Sequence, residues 1–235
     1  MRFIKIKMLK TLFIIIFLIM SVGLTVAQEK PSDVTIKESV PKTVKKANQR
    51  PTTETAKTEP FEKASVEMMA KQCVKFETEA GNIEFEMFPE SAPETVRSFL
   101  NLAATGAFDT TTFSRVVPGF VIQGGDLFTN QKMTTELDKR ARRTLPDEPS
   151  QIKHERGILS MARADEPNTA STHFFILLRE AGTLDGKFAA FGRVIKGMEV
   201  VEAINKMPVE AEKPTKPVRI THATVAVCAA QQVFK

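Results

Sequence analysis

The chain has 235 residues, 42% of them hydrophobic and 26% charged, with 17 phenylalanines and neither tryptophan nor tyrosine. That composition holds enough apolar mass for a packed core and excludes a wholly disordered chain. Two cysteines exclude a disulfide-dense scaffold, and the meaning of a net charge of +5 depends on where the charges sit.

Residues 1–27 account for most of that charge. Arg2, Lys5, Lys7 and Lys10 precede the apolar run Leu12–Met20, and Thr25-Val26-Ala27 sets small residues before a cut, the layout of a secretory signal peptide. The apolar stretch is shorter than the ~20 residues a membrane span needs, so cleavage and no stable membrane span are expected, with an uncleaved tether as the alternative. No cysteine follows the run, which leaves a lipid anchor at that point unsupported. Without these four basic residues the chain carries 29 basic against 28 acidic side chains, and no nucleic-acid partner is expected.

Residues 28–71 hold Pro31, Pro41, Pro51 and Pro60 among Lys, Glu and Thr, with few large apolar groups. Such a segment buries too little surface to offset its ordering entropy, so it reads as a solvated linker with a short helical turn over Phe61–Met69. The globular domain is expected over residues 72–230, with a tail at 231–235.

In the domain, Val74 and Phe76 alternate with polar residues, as do Ile83, Phe85 and Met87, and Ala80-Gly81-Asn82 lies between them. This predicts a hairpin. Ser91-Ala92-Pro93-Glu94 opens a helix whose apolar face is Val96, Phe99, Leu100 and Ala103, with Gly106 as its stop. Further strands are predicted near 112–117, 120–123, 157–162, 173–178, 189–195 and 218–228. A second helix near 198–206 carries Val200, Val201 and Ile204 and ends before Pro208. Eight strands and two helices suit a small closed barrel filled by its own side chains, which pattern alone does not separate from a sandwich.

The stretch Phe113–Asp126 reads F-S-R-V-V-P-G-F-V-I-Q-G-G-D, two short apolar strands about the turn Pro118-Gly119. Arg115 and Gln123 stand on it either as polar handles of a pocket with a greasy floor or, in the alternative, on an edge hairpin whose Arg115 points into water and whose Gly124-Gly125 merely turns the chain. Two further blocks follow: Gly157–Ala164 with Pro167-Asn168-Thr169 and His173-Phe174-Phe175-Ile176, then Leu184-Asp185-Gly186-Lys187 with Phe191-Gly192-Arg193-Val194 and Gly197–Val201. In order and spacing these blocks, over roughly residues 72–228, resemble the cyclophilin family of peptidyl-prolyl isomerases.

The resemblance implies a mainly β fold, a closed eight-stranded antiparallel barrel capped by two α-helices, with the ligand site on its outer face. It implies Arg115 as the catalytic residue, and Phe120, Val121, Phe175 and Leu184 as the lining of a proline pocket. Gln123 would bind a substrate carbonyl, and the Ala162-Arg163-Ala164 backbone would hold the peptide extended. The partners implied are proline-containing unfolded or extended polypeptides, met by a monomer. No cofactor, metal, nucleotide or covalent nucleophile is called for. Since the family's first and last strands are neighbours, Cys73 and Cys228 would be close enough for a disulfide, with two buried free thiols as the alternative.

Several positions depart from the commonest family pattern. His173 stands for a glutamine and remains a donor or acceptor at the site. Thr183 replaces a tryptophan at the pocket rim, which implies weak cyclosporin binding, and Phe188 replaces a histidine there. Leu127–Arg156 contains no glycine and carries Lys139, Arg140, Arg142 and Arg143, read as a solvated basic face. His154 and His222 show no metal spacing and read as ordinary surface or strand residues. The expected function is isomerisation of Xaa-Pro bonds in exported proteins, in the periplasm or outside the cell. The alternative is a weakly catalytic module that binds proline-containing segments.

Overall fold

A computed structural model describes residues 59–229; the expected signal peptide, linker residues 28–58 and the tail 231–235 lie outside the described residues. Alternation builds the first hairpin: Val74 and Phe76 on β1 (Gln72–Thr78) and Ile83, Phe85 and Met87 on β2 (Gly81–Met87) are all buried. Their register pairs Val74 with Phe85 and Phe76 with Ile83. The remaining sheet strands are β3 (Arg115–Val117), β4 (Val121–Gly124), β5 (Ile158–Met161), β6 (Phe174–Leu177), β7 (Ala190–Lys196) and, after the small hairpin β8 (Val209–Glu210) and β9 (Lys213–Pro214), β10 (Ile220–Val227).

The eight-stranded sheet runs β10-β1-β2-β7-β5-β6-β4-β3, and its neighbouring strands are antiparallel. It curls until its ends meet at one bridge, Thr112 with Arg219, flanked by Phe113 N–H donating to Val218 O at 3.0 Å and Ile220 N–H to Thr111 O at 2.8 Å. The expected eight-stranded β architecture is present, its ends joined by this bridge and not by a continuous β3–β10 ladder. Seven phenylalanines fill the interior: Phe76, Phe85, Phe99, Phe108, Phe113, Phe174 and Phe191. Neighbouring rings meet edge-on or tilted at 5.0–6.4 Å between centroids, the arrangement that aromatic quadrupoles favour.

Among the described residues four α-helices accompany the sheet, the two expected, α2 (Pro93–Ala104) and α4 (Met198–Asn205), and two more, the short α1 (Val66–Met69) and α3 (Thr135–Arg142). The helix α2 buries not only Val96, Phe99, Leu100 and Ala103 but also Ser98, Asn101 and Leu102. The extra coverage comes from residues 59–71, which the sequence assigns to the linker. Asn101 Oδ1 accepts from Phe61 N–H at 2.8 Å, and Arg97 Nη1 donates to Phe61 O at 2.9 Å and Ala64 O at 2.6 Å. Met69 is fully buried, so the ordered domain begins before residue 72. Polar pairing and a few apolar anchors, Ala64 and Met69 in the core with Phe61 and Val66 against it, hold this segment.

The glycine-free stretch 127–156 also does structural work. Its Glu148 caps α2 from 54 residues away, the two carboxylate oxygens accepting from Glu94 N–H at 2.9 Å and Thr95 N–H at 2.8 Å. Although α3 buries no residue, its basic face is largely paired: Arg140 and Arg143 meet Glu59, and Arg142 meets Asp138 one turn back.

His154 departs furthest from expectation. It is fully buried, with Nδ1 3.1 Å from Asp185 Oδ1, Nε2 3.1 Å from Ser160 Oγ, and its backbone N–H donating to Asp185 at 2.8 Å. Asp185 therefore ties the loop that bears Leu184 to strand β5. The order Asp-His-Ser is that of a nucleophilic triad, but Ser160 is fully buried, with its hydroxyl 3.0 Å from Ala189 O. The group is a structural relay.

Cys73 on β1 and Cys228 after β10 form a disulfide with Cα atoms 4.9 Å apart, closing 155 residues of sequence. Replacing both by serine should lower unfolding stability by about 2–5 kcal/mol, since the bridge restricts the unfolded chain. Equal urea midpoints for the pair and the wild type would refute this.

Burial pushes the His154 imidazole below its ordinary 6.5, and Asp185, held by the His154 N–H and then Lys153, titrates near about 2 instead of 3.8. In both cases the unfolded chain takes up the proton first, so stability is complete above the ordinary value and declines as pH falls below it. Two acid steps are expected in the urea midpoint, one beginning below 6.5 and one between 3.8 and about 2. Glu67, Glu77, Asp138 and Glu202 are also held below their ordinary values and add to the lower step, so Asp185→Asn should make it shallower; an unchanged slope there would count against the relay.

Candidate active site

Strands β4 and β6 are apolar on both faces, and that sets the site. On β4, Ile122 enters the main core while Val121 points the other way; on β6, Phe174 and Ile176 go inward while Phe175 and Leu177 go outward. The outward residues join Ile158, Ala181 and Ala190 in a second apolar cluster, separate from the core. Phe88, Val117, Phe120, Ile152, Ala162, Leu184 and Phe188 pack against it half-buried. The cluster lies on the outer face of the sheet, where the resemblance expects the proline pocket, and it contains Phe120, Val121, Ala162, Phe175, Leu184 and Phe188.

The polar handles stand beside it in one rank. Arg115 on β3 lies opposite Gln123 on β4, Gln123 opposite Phe175 on β6, and Phe175 opposite Ser160 on β5. Directly opposed side chains share a face, so one line across four strands runs from a guanidinium, through an amide and an aromatic ring, to the Ser160 hydroxyl. Arg115 Nη1 donates to Gln123 Oε1 at 3.3 Å, and its Nε donates to Glu212 Oε2 at 2.7 Å. The Arg115 side chain is 44% exposed, open to an incoming ligand.

The turn between β3 and β4 is fixed from outside. Gly119 takes φ 69°, and Phe120 N–H donates to Val117 O at 3.0 Å, the geometry a Pro-Gly pair favours. Asn205, at the end of α4, accepts from Gly119 N–H at 2.7 Å and donates to Val117 O at 2.9 Å and Val121 O at 3.0 Å. The hairpin that carries Arg115 and Gln123 is thus pinned by a buried amide.

Aromatic and cationic groups form the rim. Phe175 and Phe188 meet edge-on at 6.2 Å between centroids, and the Arg163 guanidinium lies 5.0 Å from the Phe188 ring centre. Arg163 also donates to Ala164 O at 2.9 Å and Asp165 O at 3.0 Å. At Phe120 the cation is Arg179, 4.5 Å from the ring centre. Ala162 N–H donates to His173 O at 3.0 Å, so His173 contributes its carbonyl to the sheet beside the pocket. Ala164 and Thr183 are exposed, the latter in a one-turn 3-10 segment, Gly182–Leu184. Arg115, Gln123, Phe120, Val121, Ala162, Phe175, Leu184 and Phe188 are therefore brought together, Arg163 borders Phe188, and Ala164, His173 and Thr183 stand at the margin.

Sequence reasoning missed Glu212, Arg179, Asn205 and the Asp185–His154–Ser160 relay. Most act across a long sequence gap, 97 residues for Arg115–Glu212 and 31 for His154–Asp185, and no local pattern announces them. Among the described residues no group of three or more His, Cys, Asp or Glu is placed to hold a metal ion.

Comparison with known proteins agrees with this geometry. A family model described as cyclophilin type peptidyl-prolyl cis-trans isomerase/CLD matches residues 73–225. Peptidyl-prolyl cis-trans isomerase ppi1 of Schizosaccharomyces pombe is 39% identical over 155 residues, covering 64% of this chain and 96% of that one. A peptidyl-prolyl cis-trans isomerase of Acinetobacter baylyi is 34% identical over 167 residues, 66% of this chain and 86% of the relative. CYP23 of Arabidopsis thaliana is 40% identical over 141 residues, 59% of this chain and 62% of the relative's length. A crystal structure of a cyclophilin-type isomerase from Cryptosporidium parvum, determined in the presence of the dipeptide Ala-Pro, superposes with a TM-score of 0.58 at 32% identity, over 66% of this chain and 98% of the other. The two-faced strands, the arginine beside an aromatic pocket and the match over residues 73–225 lead to one conclusion: this chain belongs to the cyclophilin-type peptidyl-prolyl cis-trans isomerase family.

Proposed function

We propose that this chain accelerates rotation about Xaa-Pro bonds of exported polypeptides, with Arg115 stabilising the twisted peptide bond. Resonance gives a peptide bond its rotation barrier of ~18–20 kcal/mol, while before proline the two planar isomers are nearly equal in energy. No bond need break. In the twisted state the proline nitrogen regains a lone pair, and a fixed cationic donor beside it lowers that state more than either planar one. Arginine suits the task because it stays protonated and presents its donors on a rigid plane.

The observation that carries this reading is the rank Arg115–Gln123–Phe175, a guanidinium set over an apolar cluster outside the core. A proline ring seated against Phe120, Val121, Phe175 and Leu184 would bring its nitrogen under Arg115, with Gln123 accepting or donating at a neighbouring peptide group. The Ala162–Ala164 edge would hold the chain extended, and the apolar walls would keep water from weakening the arginine's hydrogen bonds. The Ala-Pro dipeptide of the Cryptosporidium crystal supports proline peptides as the ligand class. Export rests on the signal-like residues 1–27 and on the disulfide, which suits an oxidising compartment. The linker would then set the domain apart from its point of translocation.

Two measurements test these points. The cis-to-trans rate of a short Xaa-Pro peptide should rise strongly with the wild-type chain, and Arg115→Ala should lower kcat/KM by about 100-fold at matched folding. A folded wild type without acceleration would leave a proline-peptide binder in place of an enzyme. When the full chain is expressed in an exporting bacterial host, the mature protein should begin at Gln28. Retention of residues 1–27 in the membrane fraction would favour the tether.

A further inference from the structure

The hairpin β8–β9 ends in a two-residue turn, Ala211-Glu212, between the paired residues Glu210 and Lys213. Both turn residues are left-handed, Ala211 at φ 47° and Glu212 at φ 67°. Such turns favour Asn-Gly or Asp-Gly, because a side chain beyond Asn or Asp is unfavourable there. Ala-Glu is an unfavourable choice, and its tip does not hang free. Glu212 O accepts from Val116 N–H at 2.8 Å, which fastens the turn to β3, and Glu212 Oε2 accepts from Arg115 Nε at 2.7 Å. Gln123 Oε1 takes Nη1 at 3.3 Å. The guanidinium is bracketed by an acceptor from each of two separate hairpins.

Resting on the isomerase reading above, we propose that Glu212 is a positioning residue for the reaction. It fixes the plane of the Arg115 guanidinium before substrate arrives, and the strained turn is what puts it there. Arginine on an exposed strand otherwise spreads over many rotamers, and a donor that must be ordered during the reaction contributes less to the twisted state than one already in place. Two of the five guanidinium N–H donors face the bracket and three stay available to substrate. Glu212 is itself 48% exposed, so water screens its charge and leaves the arginine's field largely intact, while the orientation it imposes is not screened.

The test uses the full chain and the Xaa-Pro peptide assay. Glu212→Ala and the turn-relieving pair Ala211→Asn with Glu212→Gly should each lower kcat/KM by about five-fold, chiefly through kcat. Glu212→Gln should restore most of the rate, because its amide oxygen still accepts from Nε. None of these changes should matter in an Arg115→Ala background. The turn-relieving pair should also unfold at higher urea than the wild type while being slower, whereas a purely structural hairpin would move stability and activity together. The inference fails if Glu212→Ala or the pair leaves the rate unchanged or raises it while Arg115→Ala still abolishes it, or if Glu212→Gln loses as much as Glu212→Ala. A wild type that does not accelerate, or an Arg115→Ala variant at full rate, would overturn the isomerase reading and this inference with it.

Discussion

Strand β6 is the constraint on which the rest depends. Four consecutive apolar side chains, Phe174 to Leu177, are all buried, which an antiparallel strand achieves only when both of its faces are covered. Phe174 and Ile176 hold the phenylalanine core, and Phe175 and Leu177 hold the outer cluster. The pocket floor is therefore the back of the core's own wall. Loosening one face disturbs the other, because close-packed side chains transmit displacement through a shared backbone.

Around that wall, polar groups do the positioning. Asn205 reaches from α4 to three backbone groups of the β3–β4 hairpin, and Glu148 caps α2 with both carboxylate oxygens. His154 bridges Asp185 to Ser160, the residue paired with Phe175 at the end of the rank. A buried polar group is costly unless satisfied, so each of these partners is tightly specified once it forms. Three segments distant in sequence are thereby fixed to tolerances that apolar packing alone does not supply.

The candidate site sets a cation beside an apolar cluster. Arg115 lies on a strand, and its guanidinium donates to Glu212 on one hairpin and to Gln123 on another. The stacking of Arg163 on Phe188 and of Arg179 on Phe120 covers one face of each ring. The function proposed above needs no bond broken and asks of such a site only geometry and charge.

By itself the sequence determined the alternating hairpin at residues 72–87, the apolar stripe of α2, the Pro118-Gly119 turn and the family to which the motif blocks belong. These were legible because they are local: side-chain period, turn chemistry and short motifs are written in neighbouring residues. Most of the site followed from the same motifs, with Arg115 and Gln123 paired by one short turn. Only the tertiary structure decided that residues 59–71 join the domain, that His154 is buried in a relay, that Glu59 neutralises part of the α3 basic face, and that Glu212 meets Arg115. Each of these depends on a hydrogen bond or ion pair between residues far apart in the chain. A polar residue's sequence neighbours say little about such a partner, because the fold, and not the local pattern, brings the two together.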